Sequence, residues 1–116
     1  MTEEIAREIL LHLRIRNPSK FFAITKILQT LLGNILKDPV DPKFHKIKMT
    51  NPKIYESITT QMECVNLLEI LGFKEKADVV SEQGLQHIMV ITQEEILDNF
   101  PNLQKVHELI SEIQSK

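Results

Sequence analysis

The sequence predicts an α+β fold, a mostly helical single domain with a small antiparallel sheet late in the chain. Three observations predict it. Residues 3–37 carry apolar stripes at helical spacing. The pairs Asn17-Pro18 and Asn51-Pro52 read as helix starts, with Asn as cap and Pro at the first helical position. Residues 73–91 instead hold short apolar runs around Gly84, the mark of paired strands. A chain of 116 residues with 42% apolar content suffices for one core and is too short for two ordinary domains.

The first predicted helix covers residues 3–16, where Ile5, Ile9 and Leu13 repeat every four residues with Leu10 beside them. Glu3 and Glu4 sit at its positive N-terminal end. The second runs from Pro18 to about Lys37 on the stripe Phe21, Ile24, Leu28, Leu31/Leu32, Ile35. Asp38-Pro39-Val40-Asp41-Pro42 ends it, since proline lacks the N–H and restricts the residue before it. Lys43 to Met49 reads as a helical turn passing into a short strand, and Pro52 opens a short helix to about Ile58. A helix over 61–71 places Met62, Val65, Leu68 and Leu71 on one face, with Leu67 and Ile70 beside it, and Gly72 stops it. Strands follow at Phe73–Val80 and His87–Ile91, joined by a loop over Ser81–Leu85. Thr92 caps a helix over Gln93–Asn99; after a break at Pro101 a last helix runs from Leu103 to Gln114.

Composition narrows the chemistry. The single cysteine, Cys64, forms no internal disulfide and fits a reducing compartment. It falls on an apolar helix beside Val65 and Leu68, as a structural thiol does. His12, His45, His87 and His107 are scattered without metal-ligand spacing, and three glycines build no phosphate loop. Glu94-Glu95 opens a helix, where its dipole accounts for a carboxylate pair. No catalytic centre, metal or cofactor is expected. The N-terminal residues lack the pattern of a secretory leader, and no apolar run is long enough to cross a bilayer. The expectation is a soluble monomer of the cytoplasm or nucleus.

Charge is unevenly distributed. Residues 17–60 carry seven Lys against three acids, and residues 61–116 four Lys against ten. Lys43, Lys46, Lys48 and Lys53 lie in a stretch without a single acid. Such a face is either simply solvated or attracts a carboxylate-bearing ligand. A nucleic-acid reading of this Lys43–Lys53 face is disfavoured, because it has no Arg and only Phe44 as an interleaved aromatic.

The ordered set Gly33-Asn34-Ile35-Leu36-Lys37-Asp38-Pro39, Asp41-Pro42-Lys43-Phe44-His45-Lys46-Ile47-Lys48, Asn51-Pro52 and Leu71-Gly72-Phe73 resembles the PUB domain, also called PUG. That domain occurs in peptide:N-glycanase and in ubiquitin-associated or UBX-containing adaptor proteins. The resemblance covers about residues 20–115 and leaves the first helix as an addition. His87 to Glu95 looks closer to the UBX-adaptor branch.

The resemblance implies a non-catalytic adaptor of the ubiquitin and ER-associated degradation pathways. It would bind the C-terminal tail of the hexameric AAA ATPase valosin-containing protein, which ends in acidic residues, a leucine and a penultimate tyrosine. A second reading keeps the fold and takes Tyr-containing motifs of deubiquitinases or their adaptors. Carried over residue by residue, the pocket would comprise Asn34, Phe44, Lys48, Asn51, Gly72 and Phe73. Asn34 offers amide hydrogen bonds or serves its own helix end, and Phe44 offers an apolar wall or joins the core. Lys48 pairs with carboxylates where the family often has Arg, and Phe44 stands where it often has Tyr. Asn51 and Gly72 also have local reasons to be there, as a cap and a helix stop.

Overall fold

The computed structural model describes residues 2–80 and 84–115. Among these residues six α-helices, a 3-10 turn, a π-helical turn and three strands follow in order: α1 (Thr2–Arg16), α2 (Phe21–Lys37), the 3-10 turn (Pro42–Phe44), β1 (Lys46–Lys48), α3 (Pro52–Ile54), the π-helical turn (Tyr55–Thr59), α4 (Met62–Ile70), β2 (Lys74–Val80), β3 (Gly84–Val90), α5 (Gln93–Asp98) and α6 (Phe100–Gln114). The α+β class is as the sequence predicts. The sheet gains an early member, β1, and its order is β1-β3-β2 with both pairings antiparallel.

α2 supplies one wall of the core through Phe21, Ile24, Leu28, Leu32 and Ile35, all buried. It packs on α6, which also meets α1, so α6 is the central helix. α6 buries Leu103, Val106, Leu109, Ile110 and Ile113 at helical spacing. Buried Thr25 donates back to the Phe21 carbonyl at 2.8 Å and accepts from Gln114 Nε2 at 2.9 Å, tying α2 to the end of α6. The sheet closes the other end through Ile47 and Met89, which are directly paired and both buried.

Several boundaries differ from the sequence expectation, each for a physical reason. α2 begins at Phe21, and Asn17 is no cap. Its N–H still bonds the Leu13 carbonyl at 2.9 Å, closing α1, and its amide donates to Gln61 Oε1 at 2.9 Å. α1 buries Ala6, Leu10 and Leu13, while Ile5 is exposed. α4 buries Glu63, Cys64, Leu67 and Leu68, and Met62 is 69% exposed. In both helices the buried face is rotated from the one that apolar spacing suggests. Pro101 lies within the first turn of α6, where a missing N–H costs nothing. The loop expected over 81–85 lies partly outside the described residues; Gly84 already belongs to β3.

Three signals match their local rules. Asn51 caps α3 by accepting from Lys53 N at 3.1 Å and Ile54 N at 3.4 Å. α3 then runs directly into a π-helical turn, Tyr55–Thr59, in which Thr60 N reaches the Tyr55 carbonyl. Gly72 adopts φ +112°, and the N–H groups of Gly72 and Phe73 bond the carbonyls of Glu69 and Leu68, a Schellman closure. Thr92 and Glu95 form a reciprocal capping box at α5.

Candidate peptide-binding site

The stretch from Asn34 to Asn51 is held as one continuous rim by short-range bonds. The Asn34 carbonyl accepts from Asp38 N–H, Asp41 accepts through its side chain from Lys43 N–H at 3.1 Å, and His45 Nε2 bonds the Pro39 carbonyl at 2.8 Å. Those turns bring the chain back toward α2 after two prolines and deliver it into β1. Thr59 Oγ1 then donates to the Met49 carbonyl at 2.7 Å, which clamps the end of β1 against the π-helical turn. Phe44 is half-buried against the core, with Lys43 Nζ 5.1 Å from its ring centre. Lys48 and Asn51 are exposed. Asn51 spends its oxygen on the cap, and its Nδ2 makes no hydrogen bond among the described residues.

Beside this rim lies a cleft of about 750 Å³ between α2 and the α3 segment. Its apolar lining comes from Ala23, Ile24, Ile27 and Leu31 of α2 and from Ile54; Lys20, Lys26 and Lys53 border it, with Glu56 as the one acid of the lining. Leu31 is one helical turn from Asn34, and Lys53 and Ile54 follow directly on Asn51. The cleft therefore adjoins the Asn51 end of the stretch that the sequence singled out.

The six sequence-chosen residues do not form a single patch. Phe44, Lys48 and Asn51 share the β1 side. Asn34 lines a smaller hollow of about 320 Å³ with Gly33, Lys37 and His107, on the α6 side of α2. Lys46 of β1 and Lys74 of β2 flank the same β3 residue, Val90, so Gly72 and Phe73 lie at the opposite edge of the sheet. Phe73 is 1% exposed, so its ring belongs to the core and offers no surface to a ligand. A Cβ on Gly72 would sit 3.3 Å from both Asn99 Nδ2 and Ile91 Cδ1, which makes Gly72 a packing position against α5.

Sequence reasoning placed Lys53 in the lysine face and Leu31 in the core stripe, and missed that these two line one cleft with Ile27 and Ile54. A signal existed: Ala23, Ile27 and Leu31 continue a second apolar row along α2 beside the buried one, wider than one core face needs.

The main buried charge lies elsewhere. Glu63 on α4 is 7% exposed and accepts from Arg16 at 2.8 and 3.0 Å, with His12 Nδ1 at 2.9 Å. Burial alone would raise its pKa, but its backbone N–H, His12 and Arg16 together hold it below the usual carboxylate range. Next to it, burial and then the Glu63 charge push the Cys64 thiol up to about 12. That thiol stays protonated at neutral pH, so it is a poor nucleophile.

The described residues thus form a helical scaffold with an apolar, lysine-bordered cleft. The model of the PUB domain family matches residues 18–106, and the chain belongs to that family. It is also similar to Plant UBX domain-containing protein 2 of Arabidopsis thaliana, 42% identical over 52 residues, which are 45% of this chain. Those residues span 11% of that relative's length. The relative's name accords with the UBX-adaptor branch suggested by His87–Glu95. α1 precedes the matched segment, so the helix carrying His12 and Arg16 lies outside the family pattern.

Proposed function

We propose that this chain is an adaptor module that binds the C-terminal tail of the AAA ATPase valosin-containing protein, coupling it to ubiquitin-dependent degradation at the endoplasmic reticulum. One observation carries the reading: the cleft between α2 and α3 has an apolar lining and a lysine border, and its wall residues Lys53 and Ile54 follow closely on Asn51 in the chain. Ile27, Leu31 and Ile54 form a surface for the tail's leucine and tyrosine. Lys48 and Lys53 face its carboxylates, Asn51 Nδ2 donates to its backbone, and Phe44 closes the β1 end. Asn34 acts from the shoulder of α2. Gly72 and Phe73 contribute by fixing the β2 end of the sheet.

A short tail buries less than a standard interface, so a Kd of about 1 μM or weaker is expected, near −8 kcal/mol. Calorimetry with a peptide ending in Leu-Tyr plus one residue, preceded by acids, tests the reading. Saturable binding, with amide shifts at Leu31, Lys48, Asn51 and Ile54, is the expected result. No heat and unmoved resonances would exclude it. Phosphorylating the peptide tyrosine adds about −1.5 to −2 charges at an apolar lining, and binding should be lost.

A further inference from the structure

The cleft beside α2 runs on past Leu31 and Ile27 to the start of the helix. Ala23, Ile27 and Leu31 recur every four residues and line it as one row, with the nearly buried Ile24 beside them. Ile27 and Leu31 are half-buried against the core, whereas Ala23 is exposed. The row therefore loses bulk toward the start of α2, where a single methyl group follows two branched side chains. That end has room for an apolar side chain beyond those seated at Leu31 and Ile54.

Its border is cationic. Lys20, Lys26 and Lys53 line the cleft with one acid, Glu56. None of the three lysines makes an ion pair among the described residues; Lys26 Nζ lies 5.8 Å from the ring centre of exposed Phe22. Ser57 also lines the cleft, and its hydroxyl makes no hydrogen bond among the described residues, which leaves it to a ligand backbone. An apolar row between unpaired lysines favours a segment that combines an apolar side chain with acids, because burying a charge on the row is costly and the lysines attract carboxylates.

We infer that this end of the cleft takes a second apolar side chain of the partner, four residues upstream of the anchoring leucine, with acids between. The inference rests on the tail-binding reading, with the leucine against Leu31 and the chain end toward Asn51. Only one residue follows the tyrosine there, so the rest of the segment runs the other way, along α2 toward Ala23. From Leu31 to Ala23 is about 12 Å along the helix axis. An extended chain rises about 3.3 Å per residue, so about four residues span that distance. An even step also keeps the side chain on the same side as the leucine, while an odd one turns it away from the row, to the lysine border.

Four peptides with the same Leu-Tyr ending test this by calorimetry, each with acids at the two positions before the leucine. One continues upstream with three serines. The others replace the serine three, four or five positions before the leucine by a second leucine. The second leucine at four should tighten binding about tenfold, and at three or five less than about twofold. Ala23→Gln, a polar helix former at an exposed position, should remove the gain, read as the ratio of two peptides on the same protein. Lys20→Gln/Lys26→Gln should weaken all four peptides about threefold, an effect that added salt erases. A gain at three or five that matches the one at four, or a gain that persists in Ala23→Gln, overturns the inference. Unchanged affinity in the double lysine variant overturns its acids. If the serine peptide binds and no second leucine adds to it, the inference falls while the tail reading stands; if no peptide binds, both fall. Sedimentation of the chain alone reads the other occupant: a dimer that Ala23→Gln dissociates seats a second copy in the cleft and overturns the partner segment.

Discussion

Asn17-Pro18 and Asn51-Pro52 are the same dipeptide at two places, and the fold uses them in opposite ways. Asn51 arrives from β1 in an extended conformation, φ −56° and ψ 129°, which is what an N-cap requires. Asn17 arrives from α1 with its N–H still in the helical ladder, and its amide is drawn to Gln61 across the α1–α4 seam. A capping residue works as a cap only when the preceding chain has already left the helix. The surroundings differ in the same sense. At the seam, Glu63 collects Arg16 and His12 and charge is consumed internally. Around Asn51, the lysines turn outward and border a cleft.

That contrast can be broken most strongly at Glu63. Glu63→Ala removes the acceptor of three contacts, and the buried-pair cost of about 3–5 kcal/mol applies only where the orphaned charge stays buried. Arg16 and His12 are about half and two-thirds exposed and regain water, so a loss near 2 kcal/mol is expected by chemical denaturation, with peptide binding unchanged. Acid should act in the same direction. The folded-state pKa of Glu63 is lowered, so its contribution is complete above the ordinary carboxylate value and falls away as pH drops through the lowered one. Denaturant midpoints followed from pH 7 to pH 3 should therefore fall more for the native chain than for Glu63→Gln.

A smaller effect sharpens the comparison of the two asparagines. Asn51→Ala removes a cap and should cost about 1 kcal/mol, together with weaker peptide binding. Asn17→Ala loses one half-exposed side-chain hydrogen bond, worth about 0.5 kcal/mol, with binding intact. Equal costs in a thermal melt would show that Asn17 supports its helix after all. Smallest in stability is Lys53→Ala, expected within about 0.5 kcal/mol of the native chain while peptide affinity falls. Cys64 offers a control on the seam: thiol reagent should label it only under denaturing conditions, given a pKa pushed to about 12.

Much of this was legible in the residues themselves. The stripe of α2, the Asp38–Pro42 break, the Gly72 stop, the Thr92 cap and the antiparallel strands follow from rules that operate within one turn or one strand. The site was legible only in part. Phe44, Lys48 and Asn51 lie together because they lie close in sequence, whereas Phe73, a pocket residue by the family resemblance, is core in the fold. Leu31 and Ile27 were hidden because an apolar residue on α2 looks the same whether it faces α6 or a cleft.

By itself, the chain determined the break at Asp38–Pro42, the caps at Asn51 and Thr92 and the stop at Gly72, since caps, prolines and a positive-φ glycine act through the nearest backbone groups. Tertiary structure decided which face of each helix is buried. Ala6 displaces Ile5, and Cys64 displaces Met62, because α1 and α4 pack on partners chosen elsewhere in the chain. It also decided that β1 joins β3 and that Glu63 meets residues 47 and 51 positions away. Burial and charge pairing depend on what arrives from a distance, and local propensity carries no information about that arrival.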